Sequence, residues 1–469
     1  MKTTYLKITY CTALCVIFLC LNSCASYNTK SQEFQNDLQQ GNTEQALRDI
    51  DTNPFLKKKR NSLLYYLEKG KIAYLNNNYE LSNSFLNKAD AFIEENKKAL
   101  SSNVLGVVVN PEKETYMGED FEKIAIHYYK ALNYIFLDKP DDALVEAKRI
   151  NLQLQEINDK YPAGKKNRYT SDAFALNLQG LLYEASGDIN NAFISYRNAV
   201  DLYLDNKGSF FGTPLPEQLK KDVLRTAASL GFTNELHRYE NVFETTYIAN
   251  NTNIESELIL FWENGLVPFK EQSYYNFTIL PGNRDGIVSI HNEELNLTLP
   301  IPISTSYGQK SSFSDLDIFN VAFPKYVERK PYFSSATILK DANPSINFQL
   351  VENYDVIAFE TLKDRTLREI GKVAIRLGTK KISEYYLKDK NADLGALLGV
   401  FNALSEHADT RNWQSLPQSI YYARIPLNKG DNTISVSLKT ANGIQKEEKI
   451  QVKGKKGIQF KKITTLQSY

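Results

Sequence analysis

Cysteine is nearly missing: the 469 residues hold four, at Cys11, Cys15, Cys20 and Cys24. None follows Cys24, so the rest of the chain has no disulfide to staple it and no thiolate pair to hold a metal. Histidine is as scarce, with His127, His237, His291 and His407, and no two are spaced like zinc ligands. There is no Gly-x-Ser-x-Gly elbow and no phosphate-binding loop, so the usual marks of a serine hydrolase or a nucleotide enzyme are missing. A surplus of one charge is missing too: 56 Lys and Arg stand against 55 Asp and Glu, a net charge of +1. That balance gives no electrostatic case for nucleic acid. Past Cys24 no apolar run reaches the roughly 20 residues needed to span a bilayer. A chain of this length buries an ample core without such aids, and no cofactor is expected.

What is present begins at the first residue. Lys2 and Lys7 flank the start of the chain, and Ala13 to Leu21 is almost wholly apolar but too short to span. The stretch ends in Leu21-Asn22-Ser23-Cys24, which resembles the bacterial lipobox. The resemblance implies a signal peptide, 1–23, cut before Cys24, with lipid on that thiol and on the new amino terminus. A plain cleaved signal or an uncleaved anchor is the other reading. Residues 24–32 read as a linker. Ala25, where some lipoproteins carry Asp, favours the outer membrane by resemblance to enterobacterial sorting. The lack of an acidic cluster in 25–30 favours the periplasmic side.

Internal repeats come next. Ala175 to Tyr203 contains Gly180, Tyr183, Gly187-Asp188, Ala192, Tyr196 and Ala199 at the spacing of a tetratricopeptide unit. Small Gly180 and Ala192 let two helices approach, Tyr183 and Tyr196 fill the space between them, and Ala199 leaves room for the next unit. Gly70, Tyr79, Ser82, Leu86 and Ala89 repeat the pattern, and Ala131, Tyr134, Pro140, Ala143 and Ile150 follow it more loosely. A half unit spans Gly41 to Ile50, and a helix over Pro216 to Leu230 reads as the cap. The helical repeat is expected over 33–245. Such solenoids bind peptides or proteins along a concave face. Asn103 to Met117, with the apolar Val104 to Val109, interrupts the repeat as a ribbon or lid.

Beyond about Asn250 the periodicity turns strand-like, and 250–465 reads as a mixed, mainly antiparallel β domain with one long helix. Expected strands are Leu258–Trp262, Tyr275–Leu280, Leu295–Ile303 (at an edge, because of Pro300 and Pro302), Val321–Tyr326, Ser345–Val351, Ser419–Ile425, Thr433–Leu438 and Lys446–Val452. The last three suggest a meander, a small sandwich, or a sheet backed by the long helix. That helix covers about Thr361 to Tyr386, with Leu362, Leu367, Ile370, Val373, Ala374 and Leu377 near a 3.6 period. Leu394 to Leu404 reads as a second, buried helix. The fold class is therefore α+β.

Three segments carry a resemblance: Glu263-Asn264-Gly265-Leu266-Val267-Pro268-Phe269-Lys270, Asn320 to Tyr326 (Ala322, Pro324, Tyr326), and Glu406-His407-Ala408-Asp409-Thr410-Arg411-Asn412-Trp413-Gln414-Ser415-Leu416-Pro417. In this order they resemble a family of uncharacterised bacterial envelope lipoproteins that joins a tetratricopeptide-like half to such a C-terminal half. The resemblance implies partners among envelope proteins or peptides, including lipoproteins similar to the curli secretion channel or to penicillin-binding-protein activators. It brings no activity. Glu406, Asp409 and Arg411, with His407 among them, would suit acid–base work. The structural reading is an ion-paired segment pinned by Trp413 and Pro417. The function expected is a membrane-anchored scaffold or assembly and regulatory factor. The alternative is an envelope hydrolase or transferase with a site around Glu406–Trp413. The basic run Lys453, Lys455, Lys456, Lys461, Lys462 reads as a solvated strand end or a headgroup contact.

Overall fold

The structure, a computed structural model, describes residues 26–102, 114–159, 169, 171–249, 255–281, 287–302, 318–339, 345–390 and 407–469. Cys24, Glu406, the Val104 to Val109 stretch and the Leu394 to Leu404 helix lie outside them.

One turn recurs along the N-terminal half. It joins α1 (Tyr27–Gln40) to α2 (Thr43–Thr52), α3 (Ser62–Leu75) to α4 (Tyr79–Ser102), α5 (Asp120–Phe136) to α6 (Pro140–Asp159), α7 (Ala173–Ala185) to α8 (Ile189–Asp205) and α9 (Glu217–Leu230) to α10 (Thr233–Val242). After each first helix comes a left-handed residue: Gly41, Asn77, Asp138, Gly187 or Gly231. The next N–H bonds back across the turn, Asn42 to Asp37 (2.8 Å), Asn78 to Ala73 (2.9 Å), Lys139 to Tyr134 (2.8 Å), Asp188 to Tyr183 (2.9 Å) and Phe232 to Ala227 (3.0 Å). This closure satisfies carbonyls that a helix end leaves open. Asp188 then caps α8 by accepting the Asn191 N–H at 3.1 Å.

The small residues lie where helices touch. A methyl on Gly180 would come 2.3 Å from the Tyr196 ring, and one on Gly70 would come 2.8 Å from Leu86. Ala89, Ala143, Ala192 and Ala199 are fully buried, as is Tyr196, while Tyr183 is partly covered. Two readings need correction. The first helix begins at Tyr27, which is buried, so most of the stretch read as a 24–32 linker is folded. The last unit is a helix pair rather than a single cap.

Sheets follow. β1 (Ser209–Phe210) and β2 (Thr213–Pro214) form a small hairpin between α8 and α9. The remaining strands are β3 (Ser256–Asn264), β4 (Phe269–Pro281), β5 (Ile287–Asn292), β6 (Leu297–Pro302), β7 (Ile318–Val327), β8 (Phe333–Leu339), β9 (Ile346–Asn347), β10 (Gln349–Asn353), β11 (Ser419–Pro426), β12 (Gly430–Thr440), β13 (Gln445–Gly454) and β14 (Gly457–Thr465). They make four-stranded sheets in the orders β10-β11-β3-β14, β13-β12-β8-β9 and β6-β5-β4-β7. Among the described residues pairing is antiparallel except between β14 and β3. The long helix α11 (Tyr354–Lys390) packs on β7, β6 and β5. β6, with its prolines, is an edge strand, where a missing N–H costs no ladder bond.

β3 explains the layering. Its Ile259 and Phe261 join the core made by the helices, while Leu258, Leu260 and Trp262 join the core made with β8 and β12. A strand covered on both faces reads as a continuous apolar run instead of an alternation. The helical half and the central sheet thus share one core, and residues 33–245 and 250–465 are not separate bodies. Of the three arrangements left open for the last strands, the single meander is set aside and a sandwich remains, since the two sheets that hold them share the core around Trp262 and Val436. β11 and β14 flank β3, while β12 and β13 belong to another sheet together with the unforeseen β8. Leu367, placed on the buried face of the long helix, is 53% exposed.

Gly180→Ala should lower stability by about 1–3 kcal/mol through overpacking against Tyr196, although alanine favours helix by about 1 kcal/mol over glycine. A melting temperature equal to or above that of wild type would overturn the close-contact role of Gly180.

Candidate functional site

The sheet face turned toward the helices is set by period two. On β3 it carries Ile259, Phe261 and Glu263, on β11 Ile420, Tyr422 and Arg424, and on β14 Ile458, Phe460 and Lys462. Its apolar members enter the shared core, and its charged members each meet a partner on a first helix of a repeat. Lys71 on α3 donates to Glu263 at 2.6 Å, with both side chains fully buried, and Tyr74 donates to the same carboxylate at 3.0 Å. Lys71 also lies 3.9 Å from the centre of the Tyr129 ring. Burial pulls the Lys71 ammonium down to about 8, and Glu263 holds it from falling further. Lys462 donates to the Tyr74 carbonyl at 2.7 Å, and burial brings its ammonium to about 7. Lys462 therefore faces the helices and is no part of a headgroup-binding stretch.

At the far end of the sheet Arg424 pairs with Glu184 (2.7 Å), Asp222 (2.9 Å) and Glu257 (2.5 Å). Arg225 joins Glu184 at 2.7 Å and Asp222 at 2.9 Å. Burial opposes ionisation of Glu184, yet Arg424 and Arg225 outweigh it and hold the carboxyl down to about 2.

A segment outside helix and strand, residues 407–418, with a turn at Gln414 and Ser415, lies against the same helices. Glu68 of α3 accepts the main-chain N–H of Gln414 at 2.8 Å and of Ser415 at 3.2 Å, and the Tyr27 hydroxyl at 2.8 Å. Glu122 of α5 accepts the N–H of Trp413 at 2.7 Å, the Tyr116 hydroxyl at 2.5 Å and the Glu119 N–H at 3.0 Å. Burial, with Glu119 close by, lifts the Glu122 carboxyl to about 7. Trp413 is fully buried, edge-on to Tyr129 with centres 6.0 Å apart. Arg411, 1% exposed, forks onto Asp409 at 2.7 and 2.6 Å, bonds Asn61 at 2.7 Å and the Glu114 carbonyl at 3.0 Å, and covers the Tyr116 ring. Arg329 closes the other side, donating to the carbonyls of Val267 and Gln414 (both 2.7 Å) and to Gln35 (3.0 Å). Leu416 and Pro417 are buried.

The segments singled out in the sequence meet here. Lys270 pairs with Glu119 and lies over the Tyr326 ring, Asn412 donates to the Pro268 carbonyl at 2.9 Å, and Val267 donates to the Leu416 carbonyl at 2.9 Å. Gly265 is left-handed at φ +65°, and a side chain there would meet Pro331 at 2.9 Å. Asp409 and Arg411 are thus engaged with each other and with the helical half, as in an interlocking clasp. The first helices of the pairs, expected to offer a face to a partner, are covered at these positions by the chain's own residues. Sequence reasoning missed Glu68, Lys71, Glu119, Glu122, Glu184, Asp222, Arg329 and Arg424. A signal existed in charged residues set among apolar ones, as in Leu63-Leu64-Tyr65-Tyr66-Leu67-Glu68 and Phe121-Glu122. Among the described residues no cluster of His, Cys, Asp and Glu would hold a metal.

No protein-family profile and no curated protein matches the chain. Among solved structures it overlaps with MamA (14% identity, 44% of this chain and 89% of that one, TM-score 0.27). It also overlaps with the apo form of RapI (12% identity, 46% of this chain, about half of that one at 52%, TM-score 0.33). A third is BtubC from P. vanneervenii (14% identity, 48% of this chain and 93% of that one, TM-score 0.21). Overlaps this low establish no function, and the repeat stands on the recurring turn and the glycine contacts above.

Trp413→Ala should cost about 3–5 kcal/mol, and Glu68→Gln about 1–3 kcal/mol by opposing an amide to two N–H donors. Both should lower a single melting transition seen alike by far-ultraviolet and aromatic signals. A helical half that melts apart from the sheets would overturn the shared core. The pH dependence has a definite sign. Glu184 is held below the ordinary 4.5 of a glutamate, so its stabilisation is complete above about pH 4.5 and is lost as pH falls toward about 2. Melting temperature should therefore fall more steeply below about pH 4.5 in wild type than in Glu184→Gln; parallel curves would count against the Arg424 cluster.

Proposed function

We propose that this chain is an envelope lipoprotein, cut before Cys24 and acylated there, that acts as a rigid scaffold or assembly factor for other envelope proteins. The observation that carries the reading is the clasp. A helical repeat that holds a segment outside helix and strand by its main-chain N–H groups is using peptide-recognition geometry, here on the chain itself. With the inner face filled, the two halves form one body, and a partner would be met on outer helix faces or on the sheets. The Asp409–Arg411 fork works in this reading as a structural pair, so we infer a non-enzymatic protein. By the resemblance of the three segments, the partners proposed are lipoproteins similar to the curli secretion channel or to penicillin-binding-protein activators, on the periplasmic face of the outer membrane.

The start of α1 sharpens the anchoring proposal. Ser26 caps the helix, Tyr27 is buried, and Asn28 donates to the Lys270 carbonyl at 2.8 Å. Two residues, Ala25 and Ser26, separate Cys24 from Tyr27, so three chain steps reach about 10 Å at most. A lipid on Cys24 would hold the folded body directly against the leaflet, and several acyl chains anchor far more firmly than one.

Cys24→Ser should abolish labelling by a palmitate analogue and leave the protein unprocessed or released from membranes; a variant that stays acylated and membrane-bound would sink the anchor. For the scaffold, crosslinking in native membranes followed by capture of the full-length protein should recover a defined envelope lipoprotein. Recovery of none above a control lipoprotein would overturn it.

A further inference from the structure

At the N-terminal end of α11 a cleft of about 370 Å³ opens between that helix, the end of β7 and the start of β11. This is the lower part of the size range of small-ligand sites, which run roughly 300–1,000 Å³. Among the described residues its charged lining is made of carboxylates: Glu328, Asp355 and Glu360. The neighbouring Arg329 spends its donors on Val267, Gln35 and Gln414. Two aromatic rings, Phe359 and Tyr421, also line it. Tyr421 is held flat on Trp262, with centres 4.7 Å apart, and Phe359 is set edge-on to Tyr326 at 5.9 Å.

The cleft also has acceptors without donors. Asp355 is 7% exposed and Ser419 4% exposed, and the Asp355 Oδ1 and Ser419 Oγ atoms have no hydrogen-bond partner among the described residues. Oδ2 of Asp355 is taken by Gln418 at 2.7 Å. Leaving buried acceptors unmatched is costly, and such atoms mark a place where a donor belongs. The surround is rigid. Asn353 accepts the Val356 N–H at 3.2 Å, and Tyr354 donates to the Gln418 carbonyl at 2.9 Å. The positive end of α11, worth about half a charge, is outweighed by the carboxylates.

We propose that this cleft binds an organic cation, an alkylguanidinium or alkylammonium group, through Asp355 and Ser419, with its flat face against Tyr421 or Phe359. A donor-only head answers the unmatched acceptors, its charge answers the carboxylates, and a guanidinium plane or an ammonium suits an aromatic face. The group comes either from a free small molecule or from an Arg or Lys side chain of a protein. The site stands whether or not the scaffold reading holds.

Binding releases a proton. Burial lifts Asp355 to about 7, with Glu328 pushing the same way and Gln418 and Arg329 opposing. Glu360, on the same helix, also faces the cleft. The charged form is the one that receives a cation, so affinity should rise about tenfold from about pH 6 to about pH 8 as that form becomes populated.

The test is calorimetric titration of the full mature chain with agmatine, with the peptide acetyl-Gly-Arg-Gly-amide, with neutral butanol and with calcium ion. Saturable binding of agmatine or of the peptide is expected, weakened about tenfold or more by Asp355→Asn and severalfold by Glu328→Gln. Glu328 is exposed, so its variant should melt like wild type and keep the test valid if Asp355→Asn folds poorly. Tighter binding of the peptide supports a protein side chain as the source, and equal or tighter binding of agmatine supports a free molecule. No binding of either at about 10 mM, equal binding of butanol, binding of calcium alone, or affinities unmoved by Glu328→Gln and by pH would overturn the proposal.

Discussion

Glu68 and Glu122 stand one repeat apart on first helices, and between them they take three consecutive main-chain N–H groups, those of Trp413, Gln414 and Ser415. A carboxylate removed from water needs donors, and a buried stretch of chain outside helix and sheet has N–H groups that need acceptors. Each supplies what the other lacks. Much else follows from this exchange. Trp413 is carried into the aromatic cluster of α5, Arg411 is placed over Tyr116, and β11 leaves the segment in register with β3.

The same logic extends over the sheet. Buried pairs such as Lys71–Glu263 and Arg424–Glu184–Asp222 gain little net stability over apolar packing, because desolvation consumes most of the attraction. Removing one partner is another matter, since the survivor is left buried and unpaired. Such pairs therefore discriminate against wrong docking. A one-residue slip of β3 would turn Glu263 toward the Trp262 core and Trp262 toward the helices. The charges at matched positions on β3, β11 and β14 pin the sheet to the repeats in one register.

A solenoid that encloses part of its own chain has consequences for function. Its inner surface is committed, so the molecule presents outer helix faces, sheet edges and the acidic cleft by α11. The proposed acylation of Cys24, if it holds, would also restrict which of these faces a neighbour can reach.

Local rules were enough to read much of this from residues alone. Gly180 with Tyr196, Gly187-Asp188 at a turn, the prolines of β6 at an edge and the apolar run of β3 each answer to a constraint acting within a few residues. The α+β class and the repeat follow from those. Other features could not be read that way. β14 was overlooked because its lysines look like a solvated end, yet Lys462 lies against Tyr74, and the parallel pairing of β14 with β3 joins residues about 200 apart. Glu68, Lys71 and Glu122 resemble ordinary helix-surface charges, since periodicity records which face is polar but not whether water or another strand covers it. The fork of Arg411 on Asp409 was within reach, being two residues long. The burial of that fork against Asn61 and Tyr116 was decided only when the C-terminal half closed over the repeats, because a buried charge is defined by partners brought from far along the chain.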